Sequence, residues 1–186
     1  MKEDSQIQQL KREIERLKRL VYLDHLTNLY NRRGFLEISN NYFQSAVNKR
    51  RKRRKNEISK LAIIFLDIDD FKKINDKHGH RRGDKALKVL ARILRENLRK
   101  LDIIGRWGGE EFVVLLVNVP KENAKKIAEK LQRKIANDKT LGFQLTVSAG
   151  LAFPRQGETL SQVIHRADKL MYQAKKQGKN MVIISK

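Results

Sequence analysis

Apolar residues follow two patterns along this chain. Some segments are short continuous apolar runs, and the segments between them have apolar residues at helical spacing. Residues 61–66 form an apolar run that ends in acidic residues, which is typical of a strand buried on both faces. Further strands are predicted at 103–107, 112–117, 143–152 and 181–184. Helical spacing predicts helices at 31–46, 83–100, 121–137 and 160–177.

The order of these elements indicates the fold class. Gly108-Gly109 lies between two predicted strands, which indicates a β-hairpin. The whole order is β-α-β-β-α-β-α-β behind a helix at the N-terminus. It favours an α+β fold of the α/β sandwich type, with a central mixed, mainly antiparallel sheet, a split βαβ core and flanking helices.

The first 23 residues differ from the rest, because their apolar positions recur in steps of three and four. These positions are Ile7, Leu10, Ile14, Leu17 and Val21. The pattern favours a two-stranded parallel coiled coil, and the alternative is a single amphipathic helix packed on its own domain. We therefore divide the chain into a coiled-coil signalling helix at 1–23 and a compact domain at 24–186. Because the pattern begins almost at Met1, we expect a longer helix to precede it in a full-length parent, with a sensor domain as a hypothesis.

Composition changes the picture through charge. The 186 residues include 42 Lys and Arg against 21 Asp and Glu, which gives a net charge of +21. Such an excess usually indicates nucleic-acid binding. The absence of cysteine excludes disulfide scaffolds, thiolate zinc sites and cysteine nucleophiles. No apolar stretch has the length of a membrane span, so we expect a soluble, intracellular chain with no membrane contact of its own.

A run of seven basic residues at 49–55 concentrates part of this charge. Like charges in a row repel one another and cannot be buried, so we interpret the run as an exposed loop. The alternative is an arm for nucleic acid or another anionic surface. No aromatic residue is interleaved for base stacking, which favours the loop.

Two acidic clusters sit where predicted strands end or turn. The first is 67–70, Asp-Ile-Asp-Asp, and the second is Glu110-Glu111, directly after the double glycine. If the two strands are neighbours, a carboxylate from each can converge on a hard divalent cation such as Mg²⁺. Because side chains alternate along a strand, we expect only one of the two glutamates to be a primary ligand.

Residues downstream of the first cluster have the chemistry of a nucleotide site. In the 71–84 segment, Asn and Asp side chains offer the donors and acceptors that read a guanine edge, and the lysines suit phosphates. Lys175 and Lys179 lie one helical turn apart and could serve a triphosphate together. Each piece alone is more commonly an ordinary turn or loop.

Together these segments resemble the GGDEF-domain family, whose active members are diguanylate cyclases with a nucleotidyl-cyclase or palm-like core. The resemblance covers 23–184. It is carried by six ordered blocks at compatible spacing, at 24–33, 67–76, 79–84, 106–112, 146–150 and 167–180.

The resemblance implies roles for individual residues. It implies a Mg²⁺ site, which Mn²⁺ could also fill, formed by Asp67, the backbone carbonyl of Ile68, and Glu110. It implies catalytic roles for Asp67, Glu110 and Glu111. It implies a substrate site for GTP formed by Phe71, Lys72, Asn75, Asp84, Lys175 and Lys179. The chain departs from the family pattern in three places: Lys179 stands where Arg is more frequent, Trp107 where Tyr is, and Asp70 adds an acid.

The implied reaction is the condensation of two GTP into cyclic di-GMP with release of two pyrophosphates. Each protomer holds one GTP, so two sites must face each other in a homodimer. The N-terminal helix then has a purpose, because it raises the effective concentration of one half-site near the other.

Arg99 and Asp102 match the RxxD product-inhibition motif of the family, just ahead of the hairpin. An arginine can fork onto a phosphate or a guanine edge, and an aspartate can accept from guanine nitrogens. We therefore expect cyclic di-GMP to be an inhibitor as well as the product. The alternative is a coincidence in a charged helix end.

Two other functions remain as alternatives to an active cyclase. One is a catalytically silent GGDEF signalling module that binds GTP or cyclic di-GMP. The other is a nucleic-acid binder, which the charge alone suggests. The motifs favour the cyclase, with no nucleic-acid partner and a cytoplasmic, bacterial location, and leave open a membrane tether in a longer parent.

Overall fold

The computed structural model describes residues 6–9, 12–13, 16, 20–52 and 60–185. The described residues at the N-terminus are helical up to Tyr22. Of the predicted coiled-coil positions, Ile7 and Val21 are described, and both lie in helix with close to half of their surface exposed, 46 % and 42 %. The other three, Leu10, Ile14 and Leu17, lie outside the described residues.

A five-stranded sheet organises the domain, in the order β2-β3-β1-β4-β5. The strands are β1 (Ala62–Ile68), β2 (Ile103–Arg106), β3 (Glu111–Leu116), β4 (Val147–Ala152) and β5 (Val182–Ile184). All neighbouring pairs are antiparallel except β4 and β5, which are parallel. The predicted mixed, mainly antiparallel sheet is therefore confirmed.

Helices cover both faces of the sheet. They are α1 (Arg32–Lys52), α2 (Phe71–His78), α3 (His80–Asn97), α4 (Lys121–Ala136) and α5 (Leu160–Lys176). Side chains of β1 alternate between two cores, because successive residues of a strand point to opposite faces. Ile64 and Leu66 pack with α3 and α4, whereas Ile63 and Phe65 pack with α1 and α5.

The structure differs from the prediction most clearly at the basic run, at α2 and at the start of β4. The basic run predicted as a loop begins inside α1, which continues to Lys52, and residues 53–55 lie outside the described residues. Lysine and arginine are good helix formers, and a helix distributes successive side chains around its axis. The sequence pattern missed α2, because its eight residues hold too few apolar positions to show a period. β4 begins at Val147 rather than at residue 143.

Among the described residues, no helix combines the length and the apolar character that a membrane span needs.

Candidate nucleotide and metal site

Asp67 lies at the C-terminal end of β1, directly opposite Glu111 of β3 in the antiparallel register. Residues opposite each other in such a pair have their side chains on the same face of the sheet. The next residue, Ile68, donates its backbone N–H to the carbonyl of Glu110 at 3.3 Å. The two acidic clusters therefore meet at one end of the sheet, as the sequence predicted for neighbouring strands.

The expectation of a single primary ligand assumed that both glutamates lie in a strand, and the structure contradicts that assumption. β3 begins at Glu111, so Glu110 belongs to the turn and its side chain is not bound by the alternation of the strand. The negative charges of Glu110 and Glu111 both raise the pKa of Asp67. Both carboxylates therefore act on the same buried group.

Asp67 is a buried carboxylate, 5 % exposed. Burial raises the pKa of Asp67 to about 6; the Lys175 ammonium lowers it, and the two glutamates raise it further. Burial disfavours the charged form, and a neighbouring cation restores it. This end of the sheet therefore gains from a bound cation.

Lys175 of α5 supplies that cation in the structure, with Nζ 2.7 Å from Asp67 Oδ1. Oδ1 is buried and accepts no hydrogen bond of ordinary geometry from the described residues, so the contact is ionic. No group of three His, Cys, Asp or Glu side chains in the described part of the chain is assembled as a metal site. Mg²⁺ commonly takes only one or two carboxylates and completes its shell with water and substrate phosphates. The oxygen donors of Asp67, Ile68 and Glu110 fit that requirement.

The absence of a side chain at Gly108 leaves room for the carboxylate of Glu111. A Cβ built on Gly108 would lie 2.5 Å from Glu111 Oε2, whereas one on Gly109 would meet nothing within 4 Å. Burial raises the pKa of Glu111, and the charges of Asp168 and Glu110 act in the same direction. The first glycine of the pair therefore makes room for a carboxylate of the site itself.

Two residues that act on Glu111, Asp168 and Arg32, were not predicted as site residues. Asp168 lies two helical turns before Lys175 on α5, so the two share a face of the helix. Arg32, the first residue of α1, places its guanidinium 4.5 Å from the ring centre of Trp107 and lowers the pKa of Glu111. Asp168 was within a matching block of the sequence, but nothing in its spacing indicated closeness to the hairpin.

Asn75 and Asp84, predicted to read the base, belong to the adjacent helices α2 and α3. A Cβ built on Gly83 would overlap Asn75 Oδ1 and would lie 3.2 Å from Phe71 Cζ. Gly83 therefore lets α3 approach the amide of Asn75 closely. The carboxylate of Asp84, the next residue, is exposed at the start of α3.

The lysines predicted for phosphates lie on three separate elements. Lys72 is exposed on α2, and Lys175 reaches Asp67 from α5. Lys179 follows α5 in a left-handed conformation, with φ 65°, and its Nζ lies 2.7 Å from Asp70 Oδ2. The prediction that Lys175 and Lys179 lie one helical turn apart is wrong, because α5 ends at Lys176. Both lysines are instead paired with carboxylates of the 67–70 cluster.

Asp69, the middle acid of the cluster, has a structural task. Its Oδ1 accepts from Ser148 Oγ at 2.6 Å. Its Oδ2 accepts from Thr146 Oγ1 at 2.8 Å and from the backbone N–H of Asn180 at 3.0 Å. Asp69 thereby ties the end of β1 to the start of β4 and to the loop that carries Lys179.

Comparison with known proteins decides the family. The family model described as "Diguanylate cyclase, GGDEF domain" matches residues 21–181. The chain belongs to the GGDEF-domain family. The resemblance seen in the sequence is therefore confirmed.

Curated relatives carry the GGDEF domain within longer proteins. Diguanylate cyclase DgcM of Escherichia coli (strain K12) is 35% identical over 184 residues, which are 95% of this chain and 42% of that protein. Diguanylate cyclase DgcP of Pseudomonas aeruginosa is 40% identical over 137 residues, 72% of this chain and 20% of that protein. This chain spans less than half the length of these curated relatives.

Solved GGDEF structures share the whole fold. The coiled coil and GGDEF domain of DgcB from Caulobacter crescentus, in complex with c-di-GMP, has a TM-score of 0.87 at 25% identity, over 99% of this chain and 96% of that one. The active GGEEF domain of a diguanylate cyclase from Vibrio cholerae has a TM-score of 0.75 at 30% identity, over 84% of this chain and 97% of that one.

Arg106 connects the GGDEF hairpin to the N-terminal turn, a role that its place in the motif did not reveal. Its Nη1 lies 3.1 Å from Asp24 Oδ2, and its Nη2 donates to the carbonyl of Gly109 at 2.7 Å. Asp24 also accepts from Thr27, whose backbone N–H is 2.8 Å from Oδ1. One guanidinium therefore contacts both the turn at the start of the domain and the tip of the hairpin.

The RxxD residues form a tight turn between α3 and β2. Asp102 accepts from the backbone N–H of Arg99 at 3.0 Å and from that of Val117 at 3.1 Å. Both residues line a cleft of about 420 Å³, which Arg95, Tyr30 and Lys100 also line. The two predicted residues thus share one cleft, at the end of β2 away from the hairpin tip.

Proposed function

We propose that this chain is a diguanylate cyclase, which condenses two GTP into cyclic di-GMP and releases two pyrophosphates. One observation carries the proposal. Asp67 stands in register with Glu111, beside the turn residue Glu110 and the Lys175 ammonium, at the end of the sheet where the GGDEF hairpin closes. Degenerate members usually lose these hairpin acids, and this chain has them.

Asp67, Glu110 and the carbonyl of Ile68 are the groups we propose to hold Mg²⁺, with Mn²⁺ as a substitute. When bound, the cation neutralises phosphate charge and lowers the pKa of the attacking 3′-hydroxyl. Glu111 shares the face of Asp67, so its carboxylate can orient the hydroxyl or accept a hydrogen bond from it. Asp67 must exchange its contact with Lys175 for this role, which frees that ammonium for a phosphate.

The nucleotide is positioned by residues on three elements. Asn75 and Asp84 on α2 and α3 face the guanine edge, an amide and a carboxylate being the groups that recognise its donors and acceptors. Phe71 lies against Gly83, as Asn75 does. Lys72, Lys175 and Lys179 bind the phosphates as point charges.

The active unit we propose is a homodimer, because each domain offers one GTP site and the reaction joins two nucleotides. Ile7 and Val21 are exposed, which argues against packing of the N-terminal helix on its own domain and leaves them available to a second copy. A coiled coil through this helix brings the two half-sites together at high effective concentration. Because GTP is the substrate, the domain acts in the cytoplasm.

Product inhibition at the cleft of Arg99 and Asp102 is part of the proposal. No side-chain acceptor among the described residues pairs with the Arg99 guanidinium, so it is available to a guanine or a phosphate. Asp102 holds the turn that presents it. Arg99→Ala should therefore abolish inhibition by added cyclic di-GMP and leave the initial rate unchanged.

The deciding experiment is turnover of GTP with Mg²⁺ and identification of the product by mass. We expect cyclic di-GMP from the unaltered chain and none from Glu110→Gln, which removes one charge and keeps the shape of the side chain. Circular dichroism should show that the variant is folded. Binding of GTP without any cyclic or linear dinucleotide product would instead indicate a silent signalling module.

A further inference from the structure

Asp70 binds two lysine side chains at the edge of the nucleotide site. Its Oδ2 lies 2.7 Å from Lys179 Nζ, and its Oδ1 lies 2.8 Å from Lys73 Nζ. Asp70 has no place in the proposed metal or substrate site. Its two oxygens therefore hold one proposed phosphate ligand, Lys179, and one further cation.

The side chain of Asp70 is not used to build the fold. Asp70 occupies the N-cap position of α2, where an aspartate commonly accepts from the first turn, yet it makes no such hydrogen bond. Its carboxylate is 37% exposed and contacts the Lys179 and Lys73 ammonium groups. The side chain is therefore committed to the two lysines.

The backbone around Lys179 is held by groups other than Asp70. Its N–H donates to the carbonyl of Ala174 at 3.0 Å. The N–H of Asn180 donates to Asp69 at 3.0 Å, and the carbonyl of Asn180 accepts from Gln132 at 3.0 Å. Loss of the Asp70 charge should therefore release the Lys179 ammonium without moving the loop.

We propose that Asp70 is a positioning residue that holds the Lys179 ammonium away from the nucleotide and so weakens the binding of GTP. The inference rests on the proposed function, in which Lys179 binds a phosphate. A triphosphate must replace the carboxylate at Lys179, and the displaced Asp70 charge then remains beside the phosphates. Asp67 differs from Asp70 here, because its proposed metal ion compensates its charge when Lys175 leaves.

The size of the effect follows from the exposure of the pair. Exposed ion pairs contribute little and are screened by salt, so release of Lys179 should change GTP affinity by about two- to fivefold. A carboxylate that pre-orders Lys179 for the phosphate would instead strengthen binding. The sign of the change in KM therefore separates the two roles.

The test compares Asp70→Asn with Asp70→Glu, which keeps the charge, and with Glu122→Gln. Glu122 is an exposed acid in the first turn of α4, ten residues before Gln132, which contacts Asn180. Its variant makes the same change in net charge. We expect Asp70→Asn to lower the KM for GTP about two- to fivefold at low salt with kcat unchanged, and the gain to shrink in high salt. We expect the other two variants to keep the original KM.

The same measurements in a Lys179→Met background identify the route. Lys179→Met should raise the KM, and Asp70→Asn should then have no further effect. A KM that rises or stays constant in Asp70→Asn overturns the inference, as does an equal fall in the absence of Lys179. A fall in Glu122→Gln as large as that in Asp70→Asn also overturns it, because general charge would then explain the change.

A binding measurement separates this inference from the proposed function. Calorimetry with Mg²⁺ and a GTP analogue that carries a methylene group between the α- and β-phosphorus reports affinity without turnover. Tighter binding to Asp70→Asn in a chain that forms no product would support the inference and contradict the cyclase. Normal turnover with unchanged affinity in Asp70→Asn would support the cyclase and contradict the inference.

Discussion

At the scale of single residues, the two glycines of the hairpin have different tasks. A Cβ at position 108 would contact Glu111 Oε2, which is the flexible end of a side chain, whereas one at position 109 would meet open space. The first glycine therefore avoids a contact that would displace the Glu111 carboxylate, and the second leaves room for an approaching ligand.

Alanine substitutions should separate these tasks. We expect Gly108→Ala to keep the melting temperature within a few degrees, because Glu111 can turn away, and to lower kcat by about tenfold or more through the displaced carboxylate. Gly109→Ala should also fold normally, and should mainly raise the KM if the nucleotide approaches the backbone there. Equal kcat values for Gly108→Ala and the unaltered chain would contradict the role given to Gly108.

The buried carboxyl of Asp67 makes stability depend on pH. Its pKa is raised from 3.8 to about 6 in the folded chain, so between these values the folded state holds a proton that the unfolded state has released. Stability in the absence of metal should therefore fall as pH rises from about 4 to about 6, by at most about 3 kcal/mol.

Urea unfolding across this pH range without divalent cations measures the slope, and Asp67→Asn should flatten it. Mg²⁺ should restore stability above pH 6, since it favours the ionised carboxylate. A metal-free chain that becomes more stable over the same range would show that Asp67 is not the controlling group.

At the scale of elements, Arg106 joins the start of the domain to its hairpin. The ion pair with Asp24 is mostly buried, with 16% and 14% of the two side chains exposed. The same guanidinium donates to the Gly109 carbonyl. The position of the hairpin tip therefore depends on contacts that originate in the turn after the N-terminal helix.

Loss of the Arg106 link should lower activity, although Arg106 is not one of the proposed metal or substrate ligands. We expect Arg106→Met to lower kcat about tenfold and to destabilise the fold by about 1 to 3 kcal/mol, since it leaves the Asp24 carboxylate without its guanidinium. Arg106→Lys keeps the charge but loses the forked geometry, and should lie between. Unfolding and kinetic measurements on Asp24→Asn, Arg106→Met and the double variant give the coupling. Additive effects would contradict a direct link.

The elements of this chain differ in how far their sequence predicts them. β1 and β3 were predictable because continuous apolar runs bounded by acids and glycines leave few alternatives. α2 was not, because it has eight residues and no buried one. The pairing of Asp70 with Lys179 and of Arg106 with Asp24 joins residues 109 and 82 positions apart, and no local pattern encodes such contacts. The acids of the site and the proposed metal ligands came from the motif and the resemblance, whereas the hydrogen bonds of Asp69 and the lysine partners of Asp70 required the fold.

At the scale of the whole molecule, the proposed reaction needs two copies of the domain. Ile7→Asp places a charge at an exposed position of the proposed coiled coil, where it should prevent association of two copies. We expect turnover per chain to fall at low protein concentration and to recover as concentration rises. Gln9→Asp, an outward position of the same helix in the predicted register, serves as the control and should behave like the unaltered chain. Light scattering reports the oligomeric state, and full activity of a monomeric variant would contradict the proposed dimer.

The order of strands gives the two sides of the site unequal resistance to local opening. β1 is the central strand, with neighbours on both sides and a core on each face. β5 is a three-residue edge strand with half-buried residues. Amides of central, doubly covered strands exchange with solvent only on near-global unfolding, whereas short edges open locally. Asp67 therefore belongs to the slowest-exchanging part of the chain, and Lys179 precedes one of the fastest. A bound nucleotide that contacts both would protect the amides of the edge and leave those of the centre as they were.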